Sequence, residues 1–333
     1  MKFPLYVEKI FVDEAVWNLE TTQKILSQFP RVAIERINDV KTLKNKSGTK
    51  KLLLLTRKKS EPLKEFKALA LSADIPYFSL DLVSNCHLEC TYCILQSYLE
   101  NNPILTVYTN IDEILELLAA HIKTISHSHY IIGTGRIADS LALEPVTGYS
   151  KRLIQFFAEQ NGPLLELKTK ADFVDGLLDL DHRGKTVLSW SLAPEFIVKR
   201  EEVKTASLKE RLAAMKKVAQ AGYKIGIHMD PVIVHSDWKE NYASLIDQIF
   251  KTVSADQIHW MSVGTLRFPA RQQKIMQKRF PKNQEVFEGL ISTNKRFVHY
   301  SKNLREEIYS YFHTRLSPHI PKEKVFSCME ESL

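Results

Sequence analysis

Three of the four cysteines, Cys86, Cys90 and Cys93, fall within the eight residues Cys86-His87-Leu88-Glu89-Cys90-Thr91-Tyr92-Cys93, while Cys328 stands alone. Spacing this tight is not a disulfide framework; in a 333-residue chain it describes a metal or redox site in a reducing compartment. Three thiolates on one short loop suffice to hold three irons of a [4Fe-4S] cube. The fourth iron then stays open to a small chelating molecule, by the logic that makes an open position on zinc catalytic. Zinc, with His87 or Cys328 as fourth ligand, is the alternative, although zinc sites usually add a second pair of ligands downstream and none occurs here.

Such a loop needs a scaffold, and the chain around it alternates short apolar runs with longer amphipathic ones. Strands are expected at Tyr77 to Val83, His129 to Gly133, Leu164 to Thr169, Thr186 to Leu192, Lys224 to Met229 and Gln257 to Val263. Helical periodicity lies between them at Ile111 to Lys123 and at Leu208 to Ala221, with Gly222 where a C-terminal cap belongs. Repeated βα units predict an α/β fold, a partial (βα)6 TIM-like barrel over 76–263. An N-terminal α/β appendage (1–75) precedes it and a C-terminal extension (264–333), with a helix over Leu304 to His313, follows. The cysteine loop directly follows the first barrel strand, and in parallel α/β folds the C-terminal ends of strands carry the active-site groups.

Composition narrows the classes. With 44% hydrophobic and 26% charged residues the chain lies outside disordered and collagen-like usage, and no run approaches the 18 apolar residues of a membrane span. The opening Met1-Lys2-Phe3-Pro4 lacks the apolar core of a signal peptide, so a cytoplasmic location without membrane contact is expected. Lys and Arg number 46 against 39 Asp and Glu, a formal charge of +7. The basic residues gather in the appendages. Lys50, Lys51, Arg57, Lys58, Lys59, Lys64 and Lys67 lie in the first; Arg267, Arg271, Lys274, Lys278, Arg279, Lys282, Lys295 and Arg296 lie in the second. A nucleic-acid footprint and ordinary solvated faces both fit this pattern.

The Cys-x3-Cys-x2-Cys loop after strand one resembles that of the radical S-adenosylmethionine (SAM) enzymes, and Tyr92 before its last cysteine adds to the likeness. Within that superfamily the chain is most similar to the spore photoproduct lyase group of DNA repair enzymes. The similarity includes Cys90-Thr-Tyr-Cys-Ile-Leu-Gln96, Leu105-Thr-Val-Tyr-Thr-Asn110 and Leu165-Glu-Leu-Lys-Thr-Lys170. It extends to Asp230-Pro231 with Trp238 and to the closing Phe326-Ser-Cys-Met-Glu330. The resemblance implies a [4Fe-4S] cluster on Cys86, Cys90 and Cys93, and SAM chelated at the unique iron and cleaved to a 5′-deoxyadenosyl radical. It also implies damaged DNA or another nucleic acid as partner, with an electron donor such as flavodoxin or ferredoxin. A radical SAM enzyme acting on RNA or protein, and a nucleic-acid-binding iron–sulfur protein without turnover, are the other readings.

The same resemblance assigns SAM contacts at the strand ends. Gly133 and Gly135 stand where the superfamily has a Gly-Gly-Glu turn, but Arg136 replaces the acid, leaving Asp139 or Glu144 to meet the amino group. Lys170, or Lys168 on the same strand face, would meet the SAM carboxylate, and Ser191 or Ser189 its ribose or carboxylate. His228 and Asp230 close strand five as a ligand-contacting or supporting pair. Lyase relatives carry a hydrogen-returning cysteine just after strand two; here 133–139 has none. Their tyrosine after the third cluster cysteine is Ile94, which leaves Tyr92 and Tyr98 as the catalytic candidates and Cys328 as an unassigned thiol.

Overall fold

The structure is a computed structural model that describes residues 5–43, 50–66, 75–99, 104–282, 285–293 and 297–328. Lys67, Lys295, Arg296, Met329 and Glu330 from the patterns above lie outside the described residues.

A curled, mainly parallel sheet forms the half-barrel. Its order runs Val325–Ser327, Ile258–Thr265, Lys224–Val232, Thr186–Ser191, Pro163–Thr169, Tyr130–Gly133, Tyr77–Leu80 and Leu63–Glu65, and only the last pair is antiparallel. Six of these eight strands are the predicted ones. Helices cover the outer face while side chains fill the inside, so both faces are dry. That is why the strands read as near-continuous apolar runs rather than alternating ones. One prediction needs correction: the first barrel strand stops at Leu80. Ser79 hydrogen-bonds the Asp81 carboxylate at the bend (2.6 Å), and Val83–Ser84 departs to a second sheet.

That second sheet runs Ala33–Ile37, Lys9–Asp13, Leu52–Thr56, Leu105–Tyr108 and Val83–Ser84, parallel except for the last pair. The chain therefore crosses between sheets. Leu63–Glu65 edges the barrel, whereas the strands on either side of the cysteine loop, Val83–Ser84 and Leu105–Tyr108, belong to the N-terminal sheet, Val83–Ser84 as its edge. One continuous apolar cluster, from Ile10 and Leu53 to Leu167 and Ile227, lies beneath both sheets.

Local signals set the helices as expected. Ile111–Ile122 buries Ile111, Ile114, Leu118 and Ile122, one stripe of a 3.6-residue period. Leu208–Gln220 opens on a reciprocal Ser207/Glu210 capping box, and Gly222 beyond its end takes a left-handed φ of 85° that suits glycine. The C-terminal region adds helices Ala270–Arg279 and Lys302–Leu316 and a three-stranded antiparallel sheet (Arg267–Pro269, Phe297–Tyr300, Leu290–Thr293). It then returns Val325–Ser327 to the barrel edge. No helix among the described residues is long and apolar enough to cross a membrane.

Candidate active site

At the C-terminal ends of the barrel strands lies a cavity of about 540 Å³, and all three clustered cysteines line it. The loop carrying them begins where Val83–Ser84 ends, at Asn85. This residue holds a left-handed φ of 73°, a conformation asparagine tolerates, and its side chain accepts from the Cys86 N–H (2.8 Å). Farther on, Cys93 N–H donates to the Cys90 carbonyl (3.2 Å), and the Gln96 amide donates to the Cys90 and Thr91 carbonyls (3.0 and 2.7 Å).

Every region of the chain holds this loop. From the N-terminal region Lys50 donates to the Leu88 carbonyl and pairs with Glu89 (3.5 Å). From the C-terminal region Arg279 pairs with Glu89 (3.0 Å), Gln272 donates to the Tyr92 carbonyl (3.2 Å) and Arg271 to the Ser97 carbonyl (3.0 Å). Three cations of the basic pattern thus bond the cysteine segment, Lys50 half-buried and Arg271 and Arg279 still exposed. From the barrel, Glu202–Val203 pairs antiparallel with Glu89–Cys90, and Thr91 bonds Glu201 through both backbone and hydroxyl.

The donor set suits an iron–sulfur cluster better than a single ion. Three thiols share one cavity wall, yet among the described residues no three His, Cys, Asp or Glu gather closely enough to bind one metal ion. In a cube each thiolate would take a different iron, so the three need not converge on one ion. His87 is buried, and that burial lowers its imidazole to about 4. Burial also pushes the Cys86 thiol up to about 12 and raises Cys90, so ligation would have to displace their protons.

Two polar networks adjoin the cavity. In the first, the buried Glu202 carboxylate accepts the Tyr92 hydroxyl and pairs with Arg211 (2.5 Å) and Lys170 (3.4 Å); the Lys170 ammonium lies 5.2 Å from the Tyr92 ring centre. Burial would raise the Glu202 carboxyl, but Arg211 and then Lys170 outweigh it and hold it at about 2. Burial opposes the charge on Lys170, yet Glu202 wins and raises its ammonium above the usual range. In the second network Glu166 accepts the Tyr77 hydroxyl (2.7 Å) and meets His228 Nε2 (2.8 Å), while His228 Nδ1 meets the Ser262 hydroxyl (2.6 Å). Burial lowers His228, favouring the neutral imidazole.

The other expected residues divide. Tyr92, Tyr98, Gly135, Lys168, Lys170, Ser191 and Asp230 line the cavity; Gly133 and Ser189 do not. A Cβ on Gly133 would sit 1.8 Å from the Tyr77 hydroxyl, so that glycine makes room for Tyr77. Ser189 lies deeper, against Gly226 and Trp260. A Cβ on Gly135 would meet Lys168 Cβ at 2.8 Å. Asp139 lines the cavity, but its carboxylate is engaged by the Thr169 hydroxyl and the Lys170, Leu141 and Ala142 N–H groups (2.6–3.0 Å). Glu144 accepts from the Ser150 and Lys151 N–H groups at the start of the next helix. Tyr98 is exposed at the mouth, where Arg136 donates to its hydroxyl (3.3 Å) and lies 4.7 Å from the Phe66 ring centre. Cys328 joins from the far edge of the barrel sheet, its thiol donating to Asp230 in space that Gly264 leaves open.

Glu166, Tyr77, Glu202 and Arg211 were not singled out in the sequence. Arg211 had a signal: it occupies an apolar-stripe position of its helix, beside Leu208, Leu212 and Met215. The acids had none: Glu166 meets His228 and Tyr77 62 and 89 residues away, and Glu202 meets Tyr92 110 residues away as well as Lys170 and Arg211 on other elements.

A sequence model of the spore photoproduct lyase family matches residues 11–324. The chain is similar to the spore photoproduct lyases of Bacillus subtilis (strain 168), 28% identical over 209 residues, and Geobacillus sp. (strain Y412MC61), 27% identical over 209 residues. Each match covers 62% of this chain and 61% of the relative, less than two thirds of the relative's length. The fold is like that of a solved spore photoproduct lyase complexed with dinucleoside spore photoproduct, and of another with bound AdoMet and the same dinucleoside. Both have TM-scores of 0.83 at 20% identity and cover 97% of this chain and 98% of the other.

Proposed function

The chain belongs to the spore photoproduct lyase family, and from that premise we propose that it is a radical SAM enzyme acting on damaged DNA. The observation that carries the proposal is the convergence of Cys86, Cys90 and Cys93 on one cavity with the charged strand ends Lys168, Lys170 and Asp230. When bound, a [4Fe-4S] cluster and SAM supply the electron and the 5′-deoxyadenosyl radical that starts the chemistry.

The chain's own residues bind, orient and exclude water. Cys86, Cys90 and Cys93 hold the cluster. Lys170, raised and kept charged by Glu202, would meet the SAM carboxylate, and Ser191, lining the same cavity, would add a hydroxyl. Lys168 and Asp230 face the rest of the cavity, where a lesion would enter, and Arg136 with Tyr98 guards the mouth. A DNA phosphate there would meet a cation already flanked by aromatic rings. The electron comes from a small donor such as a flavodoxin or ferredoxin.

Anaerobic reconstitution, then dithionite and SAM, is expected to release 5′-deoxyadenosine, and DNA carrying the thymine–thymine spore lesion is expected to release thymine. Cluster-loaded protein that makes no deoxyadenosine overturns the proposal. Deoxyadenosine without thymine removes DNA repair and moves the substrate to RNA or protein, a reading favoured by Arg136 standing in a segment, 133–139, that has no thiol.

A further inference from the structure

Glu202 does more than neutralise a buried cation. Its side chain is 1% exposed and joins three groups from separate parts of the barrel: Tyr92 of the cysteine loop, Lys170 at the end of one strand and Arg211 on the helix Leu208–Gln220. Arg211 in turn donates to the Ser191 carbonyl (2.9 Å), the Ala206 carbonyl (2.9 Å) and the Thr205 hydroxyl (2.6 Å). The Glu202 backbone lies opposite Cys90 in a two-residue antiparallel pairing. One carboxylate thus ties the cluster loop to the Lys170 side chain and, through Arg211, to the backbone of Ser191, the two residues expected to meet SAM.

The charge arithmetic matters as much as the geometry. Lys170 and Arg211 against Glu202 leave a single net positive charge behind Cys90 and Cys93, in a dry interior where charges act strongly. Neutralising Glu202 would leave two. The reduction potential of an iron–sulfur cluster follows the net charge and hydrogen bonding around it, and added positive charge favours the reduced form.

Resting on the function proposed above, we infer that Glu202 is a positioning residue of this site: it seats Lys170 and Tyr92 and keeps the potential of the cluster low. The Tyr92 hydroxyl, lining the cavity yet turned onto Glu202, then serves as a strut of the loop.

The test is a redox titration of the reconstituted protein, followed by the electron paramagnetic resonance signal of the reduced cluster, for wild type and Glu202→Gln. The expected result is a midpoint shifted to more positive potential in Glu202→Gln at unchanged iron content. An unshifted midpoint in cluster-loaded Glu202→Gln overturns the inference. Should that variant fail to fold, Tyr92→Phe carries the test, since it removes the hydrogen bond and no charge. Amide exchange over residues 88–93 of the loaded protein is then expected to quicken about tenfold, the loss of one bond to a charged group. Unchanged exchange overturns the inference. A wild-type protein that never takes up a cluster breaks the functional reading instead, so the two failures are distinguishable.

Discussion

The two sets of charges at the cavity are built on opposite terms. On the cluster side every buried charge is answered by the protein: Glu202 has Lys170, Arg211 and Tyr92, and Glu89 has Lys50, Arg279 and, at 3.8 Å, Lys204. Along the rest of the lining, the Lys168 ammonium, two residues before Lys170 on the same strand face, has no hydrogen-bond or ion-pair partner among the described residues, and Asp230 receives the Cys328 thiol. Answered charges fix a geometry, since breaking a buried pair strands the other member. Unanswered charges at a cavity wall are held for something that arrives. The first set fixes the loop and seats Lys170, and the second leaves Lys168 open to what enters.

Cysteine substitutions test this division with the largest expected effect. Cys90→Ala should reduce reconstituted iron and visible absorbance to background, whereas Cys328→Ser should keep full iron content, because Cys328 reaches the cavity from the other edge of the sheet. Equal losses in both would erase the contrast.

The two lysines sharpen it. Lys170→Met should lower stability by about 3 kcal/mol in urea unfolding, the scale for removing one partner of a buried ion pair. Lys168→Met should stay within about 0.5 kcal/mol while raising the KM for SAM or DNA. Similar unfolding midpoints for the two variants would mean that the sets do not differ.

Acid should act on the first set. Glu202 falls from an ordinary 4.5 to about 2 on folding, so its contribution is complete above pH 4.5 and lost as pH falls toward 2. The shift corresponds to about 3 kcal/mol. Urea midpoints between pH 6 and pH 2.5 should fall less steeply in Glu202→Gln than in wild type. Lys170, raised on folding, keeps its contribution up to the ordinary lysine range and loses it only at more alkaline pH, so neutral pH lies on the plateau between.

An effect smaller than that of Lys170→Met, and on stability alone, belongs to a glycine outside the cavity lining. Gly133→Ala drives a methyl into the Tyr77 hydroxyl and should cost about 2 kcal/mol in thermal or urea unfolding, the scale of overpacking. It should leave iron uptake intact. An unchanged midpoint would show that Tyr77 can move aside.

Much of this was legible in the sequence because local order wrote it. The barrel strands were readable as apolar runs, the helix Leu208–Gln220 through its periodicity and terminal glycine, and the site through three cysteines within eight residues. The rest depended on distant partners. Lys199-Arg200-Glu201-Glu202 reads as a solvated charge run, yet Glu201 and Glu202 are buried because Thr91, Tyr92 and Arg211 come to them. Gly133 reads as a ligand turn until Tyr77, on the neighbouring strand, is seen to fill the space. Arg271 and Arg279 read as a surface patch, and though both stay exposed they also bond Ser97 and Glu89 of the cysteine segment.

The antiparallel pairing of Glu89–Cys90 with Glu202–Val203 also sets a clock. Tyr92 precedes its anchor by 110 residues, about ten seconds of synthesis at roughly 5–20 residues per second. Through that interval the thiols have emerged while the strand, carboxylate and guanidinium that shape their surroundings have not. The last edge of the barrel, Val325–Ser327, comes later still. A cluster held by these thiols would therefore find its full surroundings only on a chain extended past Glu202, and the nascent cysteines are open to oxidation until then.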